Sequence, residues 1–196
     1  MKQQVLFVQG GGEGAYAEDQ ALADYLGDAL REVADVHYPK FPGLESVDYH
    51  LWRSKAVDAL KDTGDEAIIV AHSLGGAALL KMLSEDKPAH NIRALFLVAM
   101  PYKCADGEWG GDDFALANDF AQHLPAIQHL TLYHSQDDEW VPFNHLHQYA
   151  QKWPEATTVS LAGRGHSFMK VEFTELVEAI QSCIDGPSSQ TAPAPH

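Results

Sequence analysis

The stretch Ile68–Leu80, IIVAHSLGGAALL, constrains the fold more than any other part of the chain. A strand with one wet face alternates apolar and polar residues. This one is apolar without interruption, as strands are in parallel sheets that helices cover on both faces. The residues after it, LGGAALL, are small and helix-compatible, so strand must pass into helix with the two backbones close together. Ser73 stands at the bend. A second uninterrupted run, ALFLVA at 94–99, has the same character. Shorter β-rich runs predict strands at Gln4–Gln9, Val36–Tyr38, Ala67–Ala71, Leu130–His134 and Thr158–Leu161. Helical spacing lies between them, near Ala17–Val33, Ser46–Lys61, Leu74–Ser84, Asp113–Gln122, His145–Lys152 and Val171–Ile184. The layout is α/β: a doubly wound, mostly parallel six-stranded sheet with helices on both faces.

In such sheets ligands bind in loops beyond the carboxyl ends of the strands, so the search for function starts there. A chain of 196 residues supports one sizeable core, and a single domain over residues 1–185 is expected. From Gly186 onward, GPSSQTAPAPH carries nothing large and apolar to bury and is expected to be a disordered tail. Acidic residues outnumber basic ones 28 to 13, a formal charge of -15 that argues against nucleic acid and anionic membrane surfaces as partners. The opening MKQQVLFVQGGG is too briefly apolar for a secretory signal or a span, so a cytoplasmic protein is expected. Cys104 and Cys183 form no metal or disulfide pattern and suit packing.

The bend AHSLGG invites two readings. Ser73 is well placed to N-cap the helix that follows. Strand, serine, glycine and helix in that order also resemble the nucleophile elbow of α/β-hydrolases, whose pattern is GxSxG, with Ala71 here in place of the first glycine and Gly75 as the second. A serine hydroxyl is a weak nucleophile at neutral pH and requires a histidine base and an acid that orients it, following in that fold in the order serine, acid, histidine. TLYHSQDDEWVP offers Asp137 and Asp138 just past a strand; Asp138 is preferred because Asp138–Pro142 matches the DxxVP-like sequence common in these enzymes. VSLAGRGHSFM places His166 in a Gly-rich loop after the last strand. His145 and His147 are two apart with no carboxylate at ligand spacing, and no metal is expected. The first loop, VQGGGEGAYAEDQ, suits the stabilisation of a developing oxyanion by backbone amides: Leu74 N–H would be one donor and Gly11 the other, with Gly12 or Glu13 as alternatives. Gln9 stands where many relatives have histidine in an HGxG-type sequence.

With these segments together, the chain resembles α/β-hydrolases over roughly its first 185 residues, and in particular the small serine hydrolases grouped with retinoblastoma-binding protein nine. The shared features are AHSLGG, a double aspartate before a proline, and GHSF before the last helix. The resemblance implies strand order 2-1-3-4-5-6, a catalytic triad of Ser73, Asp138 and His166, no cofactor, and hydrolysis of a small or medium carboxylic ester through an acyl-enzyme. The substrate would be a small acyl compound. An aminopeptidase-like amide hydrolase and a non-catalytic protein-binding module on the same fold are the alternatives. Met100–Phe114 is the only loop long enough to wall the site, and Trp109 and Phe114 are candidates for its pocket. A dinucleotide site is disfavoured although GGGEGA at 10–15 matches GxGxxA, since VHYPKF ends without the acid that would hold a ribose. A P-loop is excluded by the absence of GK[ST].

Overall fold

The structure, a computed structural model, describes residues 2–42, 47–86, 91–169 and 172–186. Six parallel strands form one sheet: β1 (Gln3–Val8), β2 (Ala34–His37), β3 (Ala67–His72), β4 (Ile92–Val98), β5 (Ile127–Ser135) and β6 (Thr157–Leu161). Their order across the sheet is β2-β1-β3-β4-β5-β6, as the resemblance implied. Five helices connect them: α1 (Ala15–Leu30), α2 (Tyr49–Thr63), α3 (Leu74–Glu85), α4 (Asn144–Lys152) and α5 (Thr174–Asp185). The expected starts at Ser46 for α2 and Val171 for α5 lie outside the described residues, as does the tail beyond Gly186.

The uninterrupted apolar runs are explained by two cores. On β1, Leu6 and Val8 join one cluster, with α2, α3 and α4, while Val5 and Phe7 join the other, with α1 and α5. On β3, Ile69 and Ala71 face the first cluster and Ile68 and Val70 the second; β4 divides Leu95 and Leu97 from Ala94, Phe96 and Val98 in the same way. Side chains alternate across a strand, so a strand buried on both faces has no polar position. Each Val, Leu, Ile or Phe among them contributes about 1.5–3 kcal/mol on full burial. Cys104 and Cys183 are free thiols buried in opposite clusters.

The helix expected at Asp113–Gln122 is not formed. Only a 3₁₀ turn is present, at Phe120–Gln122. Leu116 instead pairs its backbone with the segment beyond β4, donating to Lys103 O and accepting from Ala105 N, both at 2.9 Å. Asp112 Oδ1 accepts from Phe114 N at 2.9 Å. The apolar side chains Phe114, Leu116 and Phe120 all reach the core from this irregular segment, which is why their spacing imitates a helix. Among the described residues no helix is long and apolar enough to cross a membrane.

Candidate active site

The carboxyl ends of β1, β3, β4, β5 and β6 open on one cavity of about 550 Å³, lined in part by Gly11, Ser73, Leu74, Trp109, Trp140 and His166. Ser73 enters it from the tight bend between β3 and α3. Its backbone is at φ 50° and ψ -130°, a region that non-glycine residues avoid. The bend is held by Ser73 N–H donating to Val98 O at 2.8 Å and Gly76 N–H donating to Ser73 O at 3.0 Å. Room for it comes from glycine: a Cβ at Gly75 would lie 2.0 Å from Gln9 O, and one at Gly76 2.9 Å from Met100 Sδ. The Ser73 side chain does not cap α3, so its hydroxyl is left to the cavity.

The three residues singled out for catalysis converge. His166 Nε2 is 3.1 Å from Ser73 Oγ, and His166 Nδ1 is 2.9 and 3.0 Å from the two oxygens of Asp138. A carboxylate only accepts, so Nδ1 carries the proton and Nε2 is left to accept from the serine hydroxyl. The Asp138 side chain is fully buried. Its Oδ1 accepts from the amides of Trp140 at 2.9 Å and Val141 at 2.8 Å, and its Oδ2 lies 3.3 Å from His134 Nε2. Burial pushes the carboxyl up, but hydrogen bonds from His134, His166 and the Val141 amide outweigh it and hold Asp138 well below the usual carboxylate range. Asp137 has a different place: it accepts from the Ser135 hydroxyl and from Gly165 N–H, bracing the loop that carries His166.

That arrangement makes stability depend on acid in a defined direction. Asp138 has a folded pKa below its unfolded one, so its contribution is complete above the unfolded value of about 3.9 and is lost as pH falls through the folded value. Thermal melting of the wild-type protein should therefore drop steeply from about pH 5 downward, and Asp138→Asn should flatten that slope. Equal slopes for the two proteins would rule out Asp138 as a source of the loss.

At the cavity wall, Gly10 N–H donates to Asp19 Oδ2 at 2.6 Å and is thereby turned inward. Among the described residues the amides of Gly11 and Leu74 donate to no other group. The Leu74 side chain packs on Gly11, since a Cβ there would fall 2.5 Å from Leu74 Cδ2. Gln9, in the place where relatives carry histidine, is fully buried and accepts from Phe41 N–H at 2.9 Å, anchoring the loop to the core.

The two pocket candidates part company. Trp109 lines the cavity, its ring edge-on to His145 at 4.8 Å. Phe114 lies in the core, edge-on to Tyr49 and Trp52, and is not among the residues lining this cavity. The segment Met100–Phe114 is tethered: Tyr102 N–H donates to His145 Nδ1 at 2.9 Å, and the Tyr149 hydroxyl donates to Pro101 O at 2.9 Å. His145 therefore spends a ring nitrogen on structure. Among the described residues no group of three or more His, Cys, Asp or Glu is arranged to hold a metal ion.

Sequence reasoning passed over Trp140, which is 73% exposed at the mouth. It missed Asp19, and it gave no role to His72, which it placed near the same face but before the last strand; both are buried beside the site. Asp19 was detectable. It stands one turn before Leu22 and Ala23 on the buried face of α1, where an acid requires a partner.

The family model described as serine hydrolase matches residues 28–183. The chain belongs to the serine hydrolase family. The match begins within α1, after the glycine loop, so it covers Ser73, Asp138 and His166 but not Gly11. No curated protein sequence matches this serine hydrolase. Among solved structures it is similar to the ydeN gene product of B. subtilis, with TM-score 0.73 and 19% identity over 95% of this chain and 100% of that one. The esterase domain of a Rhodothermus marinus protein superposes with TM-score 0.67 and 17% identity over 92% of this chain and 86% of that one. Est1E from Butyrivibrio proteoclasticus gives TM-score 0.67 and 15% identity with the same coverage, 92% and 86%. At these identities the structural matches establish the α/β-hydrolase fold of this serine hydrolase and leave its substrate to be argued from the site.

Proposed function

We propose that this protein hydrolyses a small or medium carboxylic ester through an acyl-enzyme on Ser73. The observation that carries the reading is the hydrogen-bonded chain from Ser73 Oγ through His166 to Asp138, opening on a cavity from a strained bend. His166 Nε2 accepts the hydroxyl proton as Ser73 Oγ attacks the carbonyl carbon. Asp138 holds the ring in the tautomer that leaves Nε2 free to accept, and stabilises the imidazolium that results. The carbonyl oxygen, now negative, is met by the amides of Leu74 and Gly11, each donor contributing about 3 kcal/mol to the transition state. The alcohol leaves with the proton from His166. Water then attacks the acyl carbon and gives a proton to the same nitrogen, which passes it to Ser73 Oγ as the acyl–oxygen bond breaks and the acid leaves.

A small ester is favoured over bulkier substrates by the cavity itself, about 550 Å³ and open at a mouth where Trp140 stands exposed, with no long insertion among the described residues covering it. The grouping with retinoblastoma-binding protein nine rests on the shared motifs and on similar length.

A fluorophosphonate probe should label the wild-type protein at Ser73, located by peptide mass spectrometry, and Ser73→Ala should not label. Folded wild-type protein left unlabelled would instead favour the non-catalytic binding module. A panel of p-nitrophenyl esters of increasing chain length beside aminoacyl amides then separates esterase from aminopeptidase: faster turnover of the amides would displace the ester reading.

A further inference from the structure

Asp19 and His72 have no part in the steps above, yet both are buried against the site, Asp19 at 3% exposure and His72 at 4%. A buried carboxylate is costly unless it is paired and hydrogen-bonded. Asp19 is both. Its Oδ2 accepts from Gly10 N–H at 2.6 Å, and its Oδ1 lies 2.8 Å from His72 Nδ1. The other ring nitrogen, His72 Nε2, lies 2.9 Å from the backbone carbonyl oxygen of His166.

A carbonyl oxygen and a carboxylate have no hydrogen to give. Nε2 therefore donates to the His166 carbonyl, and a bare Nδ1 lone pair 2.8 Å from a carboxylate would be repelled, so the surroundings favour a proton on each nitrogen and an imidazolium. The Nδ1 contact lies off the N–H axis, so charge rather than a well-directed hydrogen bond holds it. The charged and titratable groups facing this ring are Asp19 from α1, Asp138 from the loop after β5, and His166 from the loop after β6, whose ring centre is 4.8 Å away. Two carboxylates against one imidazole favour the cation. Burial alone would push His72 down, but Asp19, the His166 carbonyl and Asp138 together raise it, while Asp19 itself is lowered against the opposing effect of burial.

The pair joins α1 and the end of β3, and its partners lie on two separate loops. Gly10 belongs to the loop that carries the Gly11 amide, His72 immediately precedes Ser73, and the His166 carbonyl belongs to the residue that holds the base. We propose that Asp19 and the His72 imidazolium are positioning residues that tie the glycine loop and the His166 loop to the end of β3, holding the His166 ring against Ser73 and keeping the Gly10 amide inward so that Gly11 faces the substrate. Both border the cavity, but the proposed reaction gives neither a contact with the reacting atoms. The inference rests on Ser73 being the nucleophile, and adds to that reading a buried charge pair that fixes the distances on which it depends.

The test combines labelling kinetics with ¹⁵N NMR of the imidazole rings. In the wild-type protein His72 should show both nitrogens protonated from about pH 6 to pH 8, a range in which an unpaired imidazole loses its charge. Asp19→Asn should make His72 neutral within that range and slow fluorophosphonate labelling of Ser73 about ten- to a hundred-fold, the scale of a displacement of about 1 Å at a reacting centre. Asp19→Glu, which keeps the charge, should recover part of the rate and the doubly protonated ring. A wild-type His72 with one bare nitrogen, or an Asp19→Asn protein that labels as fast as wild type, overturns the proposal. If Asp19→Asn fails to fold, the wild-type spectrum decides alone. A wild-type protein with doubly protonated His72 that never labels would sink the hydrolase reading and leave the charged lock in place.

Discussion

Ser73→Ala should lower ester turnover about 10⁴-fold or more while the protein melts within a degree or two of wild type. The two halves of that expectation have separate causes. Activity is lost because no other described hydroxyl is within hydrogen-bond reach of His166 Nε2, the base of the proposed reaction. Stability is kept because the Ser73 hydroxyl caps no helix and its one described partner is that ring nitrogen, so removing it orphans little. Alanine keeps the backbone strain that serine carries at φ 50°. Ser73→Gly should release it and be more stable than Ser73→Ala by about 1 kcal/mol, since strain of this kind is worth roughly 1–3 kcal/mol and glycine gives back part of the gain in chain entropy. An inactive variant more stable than its active parent is the signature of a conformation held for reactivity. Chemical denaturation of the two variants, beside steady-state kinetics, measures both effects. Residual activity within ten-fold of wild type would remove Ser73 from the mechanism.

Gly75→Ala is expected to be severely damaging, to the fold and to the site together. The added Cβ would stand 2.0 Å from Gln9 O, 3.0 Å from Gln9 C and 3.1 Å from Val8 Cγ1. Two of those atoms are backbone at the end of β1, which pairs with β2 on one side and β3 on the other, so neither can move aside cheaply. Overpacking against side chains that can yield costs about 1–3 kcal/mol; here the loss should exceed about 3 kcal/mol. Any relaxation would carry Gln9 with it and drag the glycine loop away from Leu74, so the surviving folded protein should also turn over more slowly. A Gly75→Ala protein with wild-type melting temperature would mean that strand and helix are not in the contact described.

Much of this site was legible from local signals. The bend at Ser73 is marked by an apolar run meeting small residues, and a backbone conflict on that scale can be relieved only by residues close in sequence. His166 and Asp138 were legible as positions in an order, serine then acid then histidine after successive strands. The sequence puts Asp137 and Asp138 side by side, and only the folded chain shows that Asp138 reaches His166 while Asp137 turns to Ser135 and Gly165, since both neighbours are held by hydrogen bonds and differ in direction.

Buried runs alternating with amphipathic helices already imply a parallel sheet with a core on each face, because periodicity records which side of an element meets water. Where irregular segments find their partners depends instead on packing across the sheet. Phe114, Leu116 and Phe120 have helical spacing, yet the segment is drawn out by the backbone pairing of Leu116 with Lys103 and Ala105, and Phe114 goes to the core rather than the cavity. Asp19 and His72 stand 53 positions apart and meet only because β1 and β3 are neighbours, which places α1 beside the bend. A charge on an apolar helix face announces that it must be neutralised, but the identity of its partner depends on which strands lie side by side, and no local pattern carries that.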